Sequence, residues 1–347
     1  MSQEMGNECR TDAFRRNPEL ESLIERLNNI LQRPAEQELA QFKAPELPLV
    51  LIVGGPRSGT TLMMQWLAAS GCFGYPSNLI ARFYKAPYIG ALIHEMLVNP
   101  KFQYKHDFED IRAYTMHSSF TSDLGKTDGL AAPNVFWYFW RRFFEFDDCP
   151  YLDETKQETA DTRNFVKELA ALESAFAKPF AMKGIIVNWN LDFINRLFGK
   201  ILFIHVRRQP AYQMLSILKT RERFRGDRRL WWGFKPPEYD ALTLNTPEQE
   251  VAAQIHFTRQ AIANSFEKMP GERWLSVDYE RFCENPAMVY GLVRDKLAQQ
   301  DYTLPERYTG QAEFSNSNNA CTTGVKSFLI THEAQLLSLW CKHNGTY

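Results

Sequence analysis

The chain has no large excess of charge of either sign and no long apolar run. Its 347 residues include 40 Lys and Arg against 41 Asp and Glu. General nucleic-acid-binding proteins usually show a basic excess, so we expect no nucleic-acid partner. The longest apolar run, Leu47 to Val53, is interrupted by Pro48 and is far shorter than the roughly 20 residues of a membrane-spanning helix. We therefore expect no membrane span.

Cysteine is sparse, and its spacing excludes two further classes of protein. The six cysteines include no C-x-x-C pair, which argues against a disulfide framework and against a zinc site. They are Cys9, Cys72, Cys149, Cys283, Cys321 and Cys341. Residues 1–8 show neither the basic nor the apolar region of a secretory signal. These features predict reduced thiols, no metal and a cytoplasmic location.

A strand-loop-helix pattern near residue 54 predicts a phosphate site. The apolar run Leu49 to Val53 leads into a loop in which Gly54 and Gly59 have the spacing of a phosphate-binding loop. Backbone N–H groups of such a loop and the positive end of the following helix dipole converge on an anion. The lysine of a Walker A loop is absent, because Thr60 takes its place and the cation is Arg57, inside the loop. The usual residue for ATP or GTP transfer is therefore missing.

A second anion-binding pattern follows the predicted strand at Ile201 to Val206. Arg208 stands two residues before Pro210, and Ser216 lies eight residues after Arg208. An arginine at a strand end and a serine two turns into the next helix can reach the same phosphate, with a bidentate contact from the guanidinium. A solvated pair of arginines, Arg207 and Arg208, is the alternative interpretation of the strand end.

The two patterns, in this order, resemble the donor-binding motifs of sulfotransferases that use 3′-phosphoadenylyl sulfate (PAPS). Residues 56–62 (Pro-Arg-Ser-Gly-Thr-Thr-Leu) resemble the 5′-phosphosulfate loop, and the second pattern resembles the 3′-phosphate motif. The resemblance implies PAPS as donor and adenosine 3′,5′-bisphosphate (PAP) as product, with no metal. Its implied donor-binding residues are Arg57, Ser58, Gly59, Thr60, Thr61, Arg208, Ser216 and Tyr279.

Two further segments extend the resemblance. Lys183 matches a lysine at the end of the second strand of tyrosylprotein and many bacterial sulfotransferases, where it lies near the transferring group. The resemblance therefore implies Arg57 and Lys183 as catalytic residues. The segment Val277 to Pro286 resembles a strand-to-helix element that would bring Tyr279 near the adenine. A tyrosine buried in the core at a strand end is an equal alternative.

Alternating strand and helix signals predict the fold. Continuous apolar strands separated by helices indicate βαβ units and a parallel sheet. The predicted strands are Leu49 to Val53, Phe180 to Val187, Ile201 to Val206 and Trp274 to Tyr279. We expect an α/β, P-loop-type three-layer fold with a central, mainly parallel sheet and helical insertions. Residues 1–46 would form an N-terminal helical extension and residues 47–347 the sulfotransferase-like domain.

Two helical segments outside the motifs have more than one interpretation. Asn17 and Pro18 predict the start of a helix with an apolar face, which would pack on the main domain or form a homodimer. That face comprises Leu20, Leu23, Ile24, Leu27 and Ile30. The aromatic stretch Phe136 to Phe144 predicts a buried helix, with an aromatic wall for an acceptor as the alternative.

The general base is not assigned by the sequence. Ser77 and Asn78 stand where tyrosylprotein sulfotransferases carry a glutamate pair, and neither is a base, so tyrosine sulfation is not expected. His94, His117 and Asp123 remain unranked candidates.

The basic segment Lys219 to Arg229 has three interpretations. It carries six basic residues against two acidic ones. It could be a solvated helix end, a flap over PAPS or a dock for an anionic acceptor.

The whole pattern predicts a sulfotransferase that moves a sulfuryl group from PAPS to a hydroxyl of a carbohydrate or small-metabolite acceptor. A P-loop small-molecule kinase and a non-catalytic PAP-binding relative are the alternatives.

Overall fold

The computed structural model describes residues 10–102, 104–105, 120–242 and 244–318. In these residues four parallel strands form one sheet in the order β2-β1-β3-β4. The strands are β1 (Leu49–Val53), β2 (Ala181–Lys183), β3 (Ile201–Arg207) and β4 (Trp274–Asp278). Ile52 pairs with Lys183 and Val53 with His205, so the carboxyl ends of the three neighbouring strands meet at one edge. The predicted α/β, P-loop-type fold is confirmed.

Helices surround the sheet and connect its strands. The first four are α1 (Pro18–Glu38), α2 (Thr60–Ala69), α3 (Pro87–Val98) and α4 (Trp137–Trp140). The next four are α5 (Glu154–Thr159), α6 (Thr162–Phe176), α7 (Leu191–Leu197) and α8 (Pro210–Arg225). The last three are α9 (Pro247–Phe266), α10 (Tyr279–Glu284) and α11 (Pro286–Ala298).

Both faces of the sheet are buried, as the continuous apolar sequence of β1 implies. Leu49, Leu51 and Val53 join an aromatic core on one face. Val50 and Ile52 join a second core that includes α2, α10 and α11 on the other face. Alternate residues of β1 therefore pack into the cores on opposite faces of the sheet. This packing fixes the register of β1.

One predicted strand is wrong beyond its first half. The prediction extended from Phe180 to Val187, but β2 ends at Lys183, and Ile185–Val187 form a short 3-10 turn. The Gly184 N–H still donates to the Ile52 carbonyl. The Val187 N–H then donates to the Gly184 carbonyl, which closes the turn. The apolar run stays buried in the turn, so hydrophobicity alone does not distinguish the two conformations.

The aromatic stretch forms a shorter helix than predicted. Only Trp137–Trp140 are α-helical, and Phe136 precedes them with a φ of 63°. Phe136, Phe139 and Trp140 are buried, which agrees with the predicted core role. Trp137 and Tyr138 are 37% and 36% exposed, so the helix is not buried on every face.

The N-terminal helix attaches to the main domain through a buried polar residue, and part of its predicted apolar face is exposed. Asn17 caps α1 by accepting from the N–H groups of the second and third helical residues. Buried Asn28 donates to the Arg82 carbonyl and accepts from the Lys85 N–H, which fixes α1 to the main domain. Leu23 and Ile30 are each 63% exposed, so these two residues of the apolar face do not pack on the main domain. The division at residue 46 and the homodimer stay predictions.

Two kinds of feature are absent from the described ranges. No helix in these ranges has the length and apolar composition needed to cross a membrane. Within the same ranges no three His, Cys, Asp or Glu residues are grouped so that they could hold a metal ion. Cys72, Cys149 and Cys283 are free thiols, and the other three cysteines lie outside the described residues.

Candidate functional site

The phosphate-binding loop connects β1 to α2 at the carboxyl edge of the sheet. Its first glycine, Gly54, has a φ of +142°, and a Cβ there would lie 2.7 Å from the Val206 carbonyl oxygen. The Asn188 amide brackets this glycine, because it accepts from the Gly54 N–H at 3.1 Å and donates to the Gly54 carbonyl at 3.0 Å. Asn188 follows the 3-10 turn after β2, so that turn holds the entry to the loop.

The loop ends at an uncapped helix N-terminus. Gly59 precedes α2 with a φ of +104°, and no side chain caps the first turn that begins with Thr60 and Thr61. The first N–H groups of a helix have no partners within the helix and attract an anion. The Ser58 hydroxyl is buried and has no hydrogen-bond partner among the described residues. These groups are hydrogen-bond donors that could bind an anion.

Arg57 joins the two predicted phosphate motifs. Its Nε donates to the Ser216 Oγ on α8 at 3.0 Å. Arg57 adopts a φ of 61°, a backbone conformation that is unusual for a residue other than glycine and that clusters at functional sites. Burial and then the charge of Arg208 lower the pKa of the Arg57 guanidinium. Two neighbouring cations repel each other, so anions bound beside them would be favoured.

Lys183 lies at the end of β2, where the sequence predicts it, and contacts the start of α2. Its Nζ donates to the Thr61 Oγ1 at 2.7 Å, and its carbonyl accepts from the Trp140 indole at 3.2 Å. The side chain is 4% exposed. Burial, and next the charge of Arg57, lower the pKa of Lys183 to about 7. Around neutral pH the amine can therefore gain or lose its proton.

Arg208, in the second motif, is held by the side chains of Ser317 and Asn318. Its Nε and one terminal nitrogen donate to the Asn318 Oδ1 at 2.9 and 2.6 Å, and the same terminal nitrogen donates to the Ser317 Oγ at 3.0 Å. The other terminal nitrogen donates to the Arg57 carbonyl at 3.2 Å. The guanidinium lies 5.0 Å above the Tyr279 ring. Arg208 is thus a buried cation rather than a solvated strand end.

Tyr279 is buried and packs directly against the loop. A Cβ on Gly59 would lie 2.3 Å from the Tyr279 ring, so the ring requires glycine at the end of the loop. The Tyr279 hydroxyl is 3.0 Å from the Ser317 Oγ. The ring therefore belongs to the core and to the wall of the site at the same time.

Sequence reasoning missed three polar residues that support the loop and α8. Gln213 donates to the Pro56 carbonyl at 2.8 Å, and Arg259 donates to the Gln213 side chain at 2.9 Å and to the Arg208 carbonyl. Asn188 brackets the loop entry. The position of Gln213, three residues before Ser216 on the same helix face, is the one signal that could have found it. Arg259 and Asn188 are distant in sequence from either motif.

Of the three candidate general bases, two lie in the described residues and both have partners there. His94 is buried, its Nδ1 lies 3.0 Å from the Ser77 Oγ, and burial lowers its pKa to about 4. Its ring packs against Tyr75 and Phe176, which indicates a structural role. Asp123 forms a bidentate ion pair with Arg223 at 2.6 and 2.9 Å. His117 lies outside the described residues.

Ion pairs hold much of the basic segment 219–229. Arg221 is buried and pairs with Glu250 at 2.5 Å. Arg223 pairs with Asp123, Arg228 with Glu248 and Arg229 with Asp227. The segment is therefore the end of α8 and the turn after it, fixed to neighbouring elements.

The fold and the family match define the class of this protein. A parallel sheet with a glycine loop at its carboxyl edge defines an α/β protein with a P-loop-type fold. Residues 48–297 match the model of the sulfotransferase family, and the chain belongs to this family. No curated protein matches the chain.

Several solved structures are similar to this chain at low sequence identity. Sulfotransferase STF9 from Mycobacterium avium is 12% identical with a TM-score of 0.49, over 93% of this chain and 86% of that chain. Sulfotransferase STF1 from Mycobacterium tuberculosis H37Rv is 12% identical with a TM-score of 0.46, over 80% and 73%. The sulfotransferase domain of the Synechococcus PCC 7002 olefin synthase is 17% identical with a TM-score of 0.40, over 78% and 80%.

Proposed function

We propose that this protein is a cytoplasmic enzyme that transfers a sulfuryl group from PAPS to a hydroxyl of a carbohydrate or small-metabolite acceptor. Membership of the sulfotransferase family supports the reaction class. The observation that carries the choice of donor is the hydrogen bond from Arg57 to Ser216, because it joins the loop at β1 to the helix after β3. A donor with one phosphate group at each end fits a site built from these two motifs.

The residues of the loop fit the 5′-phosphosulfate end of this donor. The buried Ser58 hydroxyl has no protein partner among the described residues, and a buried unpaired hydroxyl is costly. A phosphate oxygen would accept from this hydroxyl and from the N–H groups at the start of α2. Gly54 and Gly59 let the loop pack closely, because a Cβ at these positions would meet the Val206 carbonyl and the Tyr279 ring, respectively.

The residues at the opposite end fit the 3′-phosphate. Arg208 carries a buried guanidinium in the second motif, and a cation of this kind suits a charge-assisted contact with a phosphate oxygen. Its position is fixed by the Tyr279 ring and by the Arg57 carbonyl. We propose that Tyr279 also lies beside the adenine, since it forms the wall between the two motifs.

Cationic side chains would supply the catalysis. PAPS brings the sulfuryl group, and its departing 5′-phosphate gains negative charge as the S–O bond breaks. Arg57 and Lys183 lie at the loop and would stabilise that charge. Thr61 holds the Lys183 amine at 2.7 Å, so the cation is positioned before the reaction begins. Loss of one such donor costs on the order of 3 kcal/mol, or about a hundredfold in rate.

Transfer of labelled sulfate tests the proposal directly. The purified chain is incubated with ³⁵S-labelled PAPS and a panel of hydroxyl-bearing acceptors, with and without Mg²⁺. We expect labelled product and PAP to form at the same rate in both conditions, and Lys183→Ala to abolish most of the transfer. Phosphate transfer from Mg·ATP without any sulfuryl transfer would identify the kinase alternative. Tight PAP binding without turnover on any acceptor would identify the non-catalytic alternative.

A further inference from the structure

Two polar side chains join the loop after β1 to the residue that follows β3. Gln213 of α8 donates to the Pro56 carbonyl at 2.8 Å. The side-chain oxygen of Gln213 accepts from a terminal nitrogen of Arg259 on α9 at 2.9 Å, and the same nitrogen donates to the Arg208 carbonyl. We refer to Gln213 and Arg259 together as the polar bridge, because they connect the backbone of the two predicted phosphate motifs.

Both carbonyls at the ends of the polar bridge lie beside arginines that the proposed function assigns to the donor. Pro56 directly precedes Arg57, so the hydrogen bond to its carbonyl restrains the peptide that leads into Arg57. Arg57 has a φ of 61°, and a backbone conformation of this kind persists only where its surroundings hold it. The other carbonyl is that of Arg208 itself. The polar bridge therefore restrains the backbone at both residues that would contact the ends of the nucleotide.

The loop side of the polar bridge is closely packed. Gln213 is 1% exposed, and a Cβ on Gly55 would lie 2.9 Å from the Gln213 Nε2. Gln213 lies three residues before Ser216, so the two side chains share one face of α8. Ser216 accepts from the Arg57 Nε at 3.0 Å. Helix α8 therefore holds the loop at two points, the Pro56 carbonyl and the Arg57 side chain.

Helices α8 and α9 also have an apolar interface of their own. Its buried members are Met214, Ile217, Leu218, Val251, Ala252 and Ile255. Burial of apolar side chains supplies most of the free energy that attaches one helix to another. The polar bridge is therefore not needed to attach the two helices, and its effect falls on the two backbone carbonyls.

We propose that Gln213 and Arg259 are positioning residues, which hold the loop and the second motif at one fixed separation. A nucleotide with a phosphate at each end gains from both motifs only when their separation matches that of its phosphates. At an active site a misplacement of about 1 Å can cost about a hundredfold in rate. The inference rests on the proposed function for the donor, and it adds the residues that let both ends of the donor bind together.

Calorimetry with two nucleotides tests the inference. PAP and adenosine 5′-monophosphate, which lacks the 3′-phosphate, are titrated into the wild type, Gln213→Met and Arg259→Met. Methionine is a flexible, unbranched replacement that removes the hydrogen bonds of either side chain. We expect the wild type to bind PAP about a hundredfold more tightly than the monophosphate, and each variant to bind it only about tenfold more tightly. The affinity for the monophosphate should change less, because the loop alone holds it.

Matched variants separate positioning from charge and from stability. Gln213→Met leaves the charge of Arg259 in place, so a lower ratio of the two affinities in this variant reports position. The double variant should lower the ratio no further than either single variant, because both residues belong to one bridge.

Arg273 provides the control for stability. It donates to the carbonyls of Phe198 and Gly199 at the opposite edge of the sheet. Arg273→Met should lower the midpoint of denaturant unfolding and leave the ratio of the two affinities at about a hundredfold. The same unfolding titration is made for every variant.

The outcomes for the donor and for the polar bridge are distinct. A wild-type ratio in Gln213→Met overturns the inference and leaves the donor assignment intact, and this variant is sufficient if Arg259→Met does not fold. An equal fall of the ratio in Arg273→Met also overturns the inference, because lost stability would then explain the effect. Failure of the wild type to bind PAP more tightly than the monophosphate contradicts the proposed function itself.

Discussion

Donor binding should be coupled to the uptake of a proton by Lys183. In the free protein, burial and the neighbouring Arg57 hold the pKa of Lys183 at about 7. At pH 8 an amine with that pKa is only about one-tenth protonated. The 5′-phosphate of PAP would bring negative charge to this position, which favours the charged amine and raises its pKa well above 8. The site should therefore take up close to 0.9 protons per PAP at pH 8, and only about 0.1 at pH 6.

Titration calorimetry in buffers of different ionisation enthalpy measures this uptake. The apparent binding enthalpy of PAP is compared in phosphate and in Tris at pH 8 and at pH 6, and the slope against buffer enthalpy gives the number of protons. Lys183→Met removes the titrating amine and should lose the uptake at pH 8. Lys183→Arg keeps a cation that does not titrate, so it should bind PAP without uptake. The PAP phosphates, with second pKa values of about 6, also change protonation at pH 6, so the uptake by Lys183 is measured as the difference between the wild type and Lys183→Met.

Two results would refute this reasoning. If the wild type shows no proton uptake at pH 8, Lys183 is charged in the free protein or is remote from the bound phosphate. If Lys183→Met takes up as many protons as the wild type, another group is responsible, and the place of Lys183 at the reacting end is wrong.

Three further predictions concern the loop and the second motif. Arg57→Ala should lower kcat by about a hundredfold and PAP affinity much less, because its contact strengthens as the leaving phosphate gains charge; single-turnover kinetics and calorimetry separate the two. Arg208→Ala should weaken PAP binding by about a hundredfold and change kcat little, because the 3′-phosphate does not react. Gly59→Ala should abolish PAP binding and lower the free energy of unfolding by about 2 kcal/mol or more in denaturant titrations, because its Cβ would meet the Tyr279 ring at 2.3 Å. Gly71→Ala is the control, since Gly71 has a φ of +70° but open space around it.

Each of these predictions has a result that would contradict it. An equal loss of kcat and of PAP affinity in Arg57→Ala would show that Arg57 binds the donor in the ground state and does not act mainly on the transition state. Unchanged PAP affinity in Arg208→Ala would mean that the second motif is assigned to the wrong ligand. Equal destabilisation by Gly59→Ala and Gly71→Ala would show that backbone strain, rather than contact with Tyr279, explains the effect.

The parts of the fold that local sequence determines could be predicted. β1, the loop and α2 were found because an uninterrupted apolar run needs burial on both sides and because two glycines mark backbone positions that other residues disfavour. The predicted strand at 201–206 was confirmed within one residue for the same reason. The turn at Ile185–Val187 was missed, because buried apolar residues look alike in a strand and in a turn.

The contacts that complete the site depend on tertiary structure and could not be predicted. The sequence indicated Arg57, Arg208 and Ser216 separately, but not the hydrogen bond between Arg57 and Ser216. Nothing in the sequence signals that Asn318, more than a hundred residues from Arg208, accepts from its guanidinium. In α1 the helical periodicity predicted an apolar face, but periodicity does not indicate what covers such a face.

The central claim is that one donor nucleotide is held at both ends, by the loop at residues 54–61 and by Arg208. Competition calorimetry with PAP and adenosine 5′-monophosphate, which lacks the 3′-phosphate, tests it most directly. The account predicts that the wild type binds PAP about a hundredfold more tightly and that Arg208→Ala binds both nucleotides alike. Equal affinity of the wild type for the two nucleotides, or binding of Mg·ATP with no binding of PAP, would contradict it.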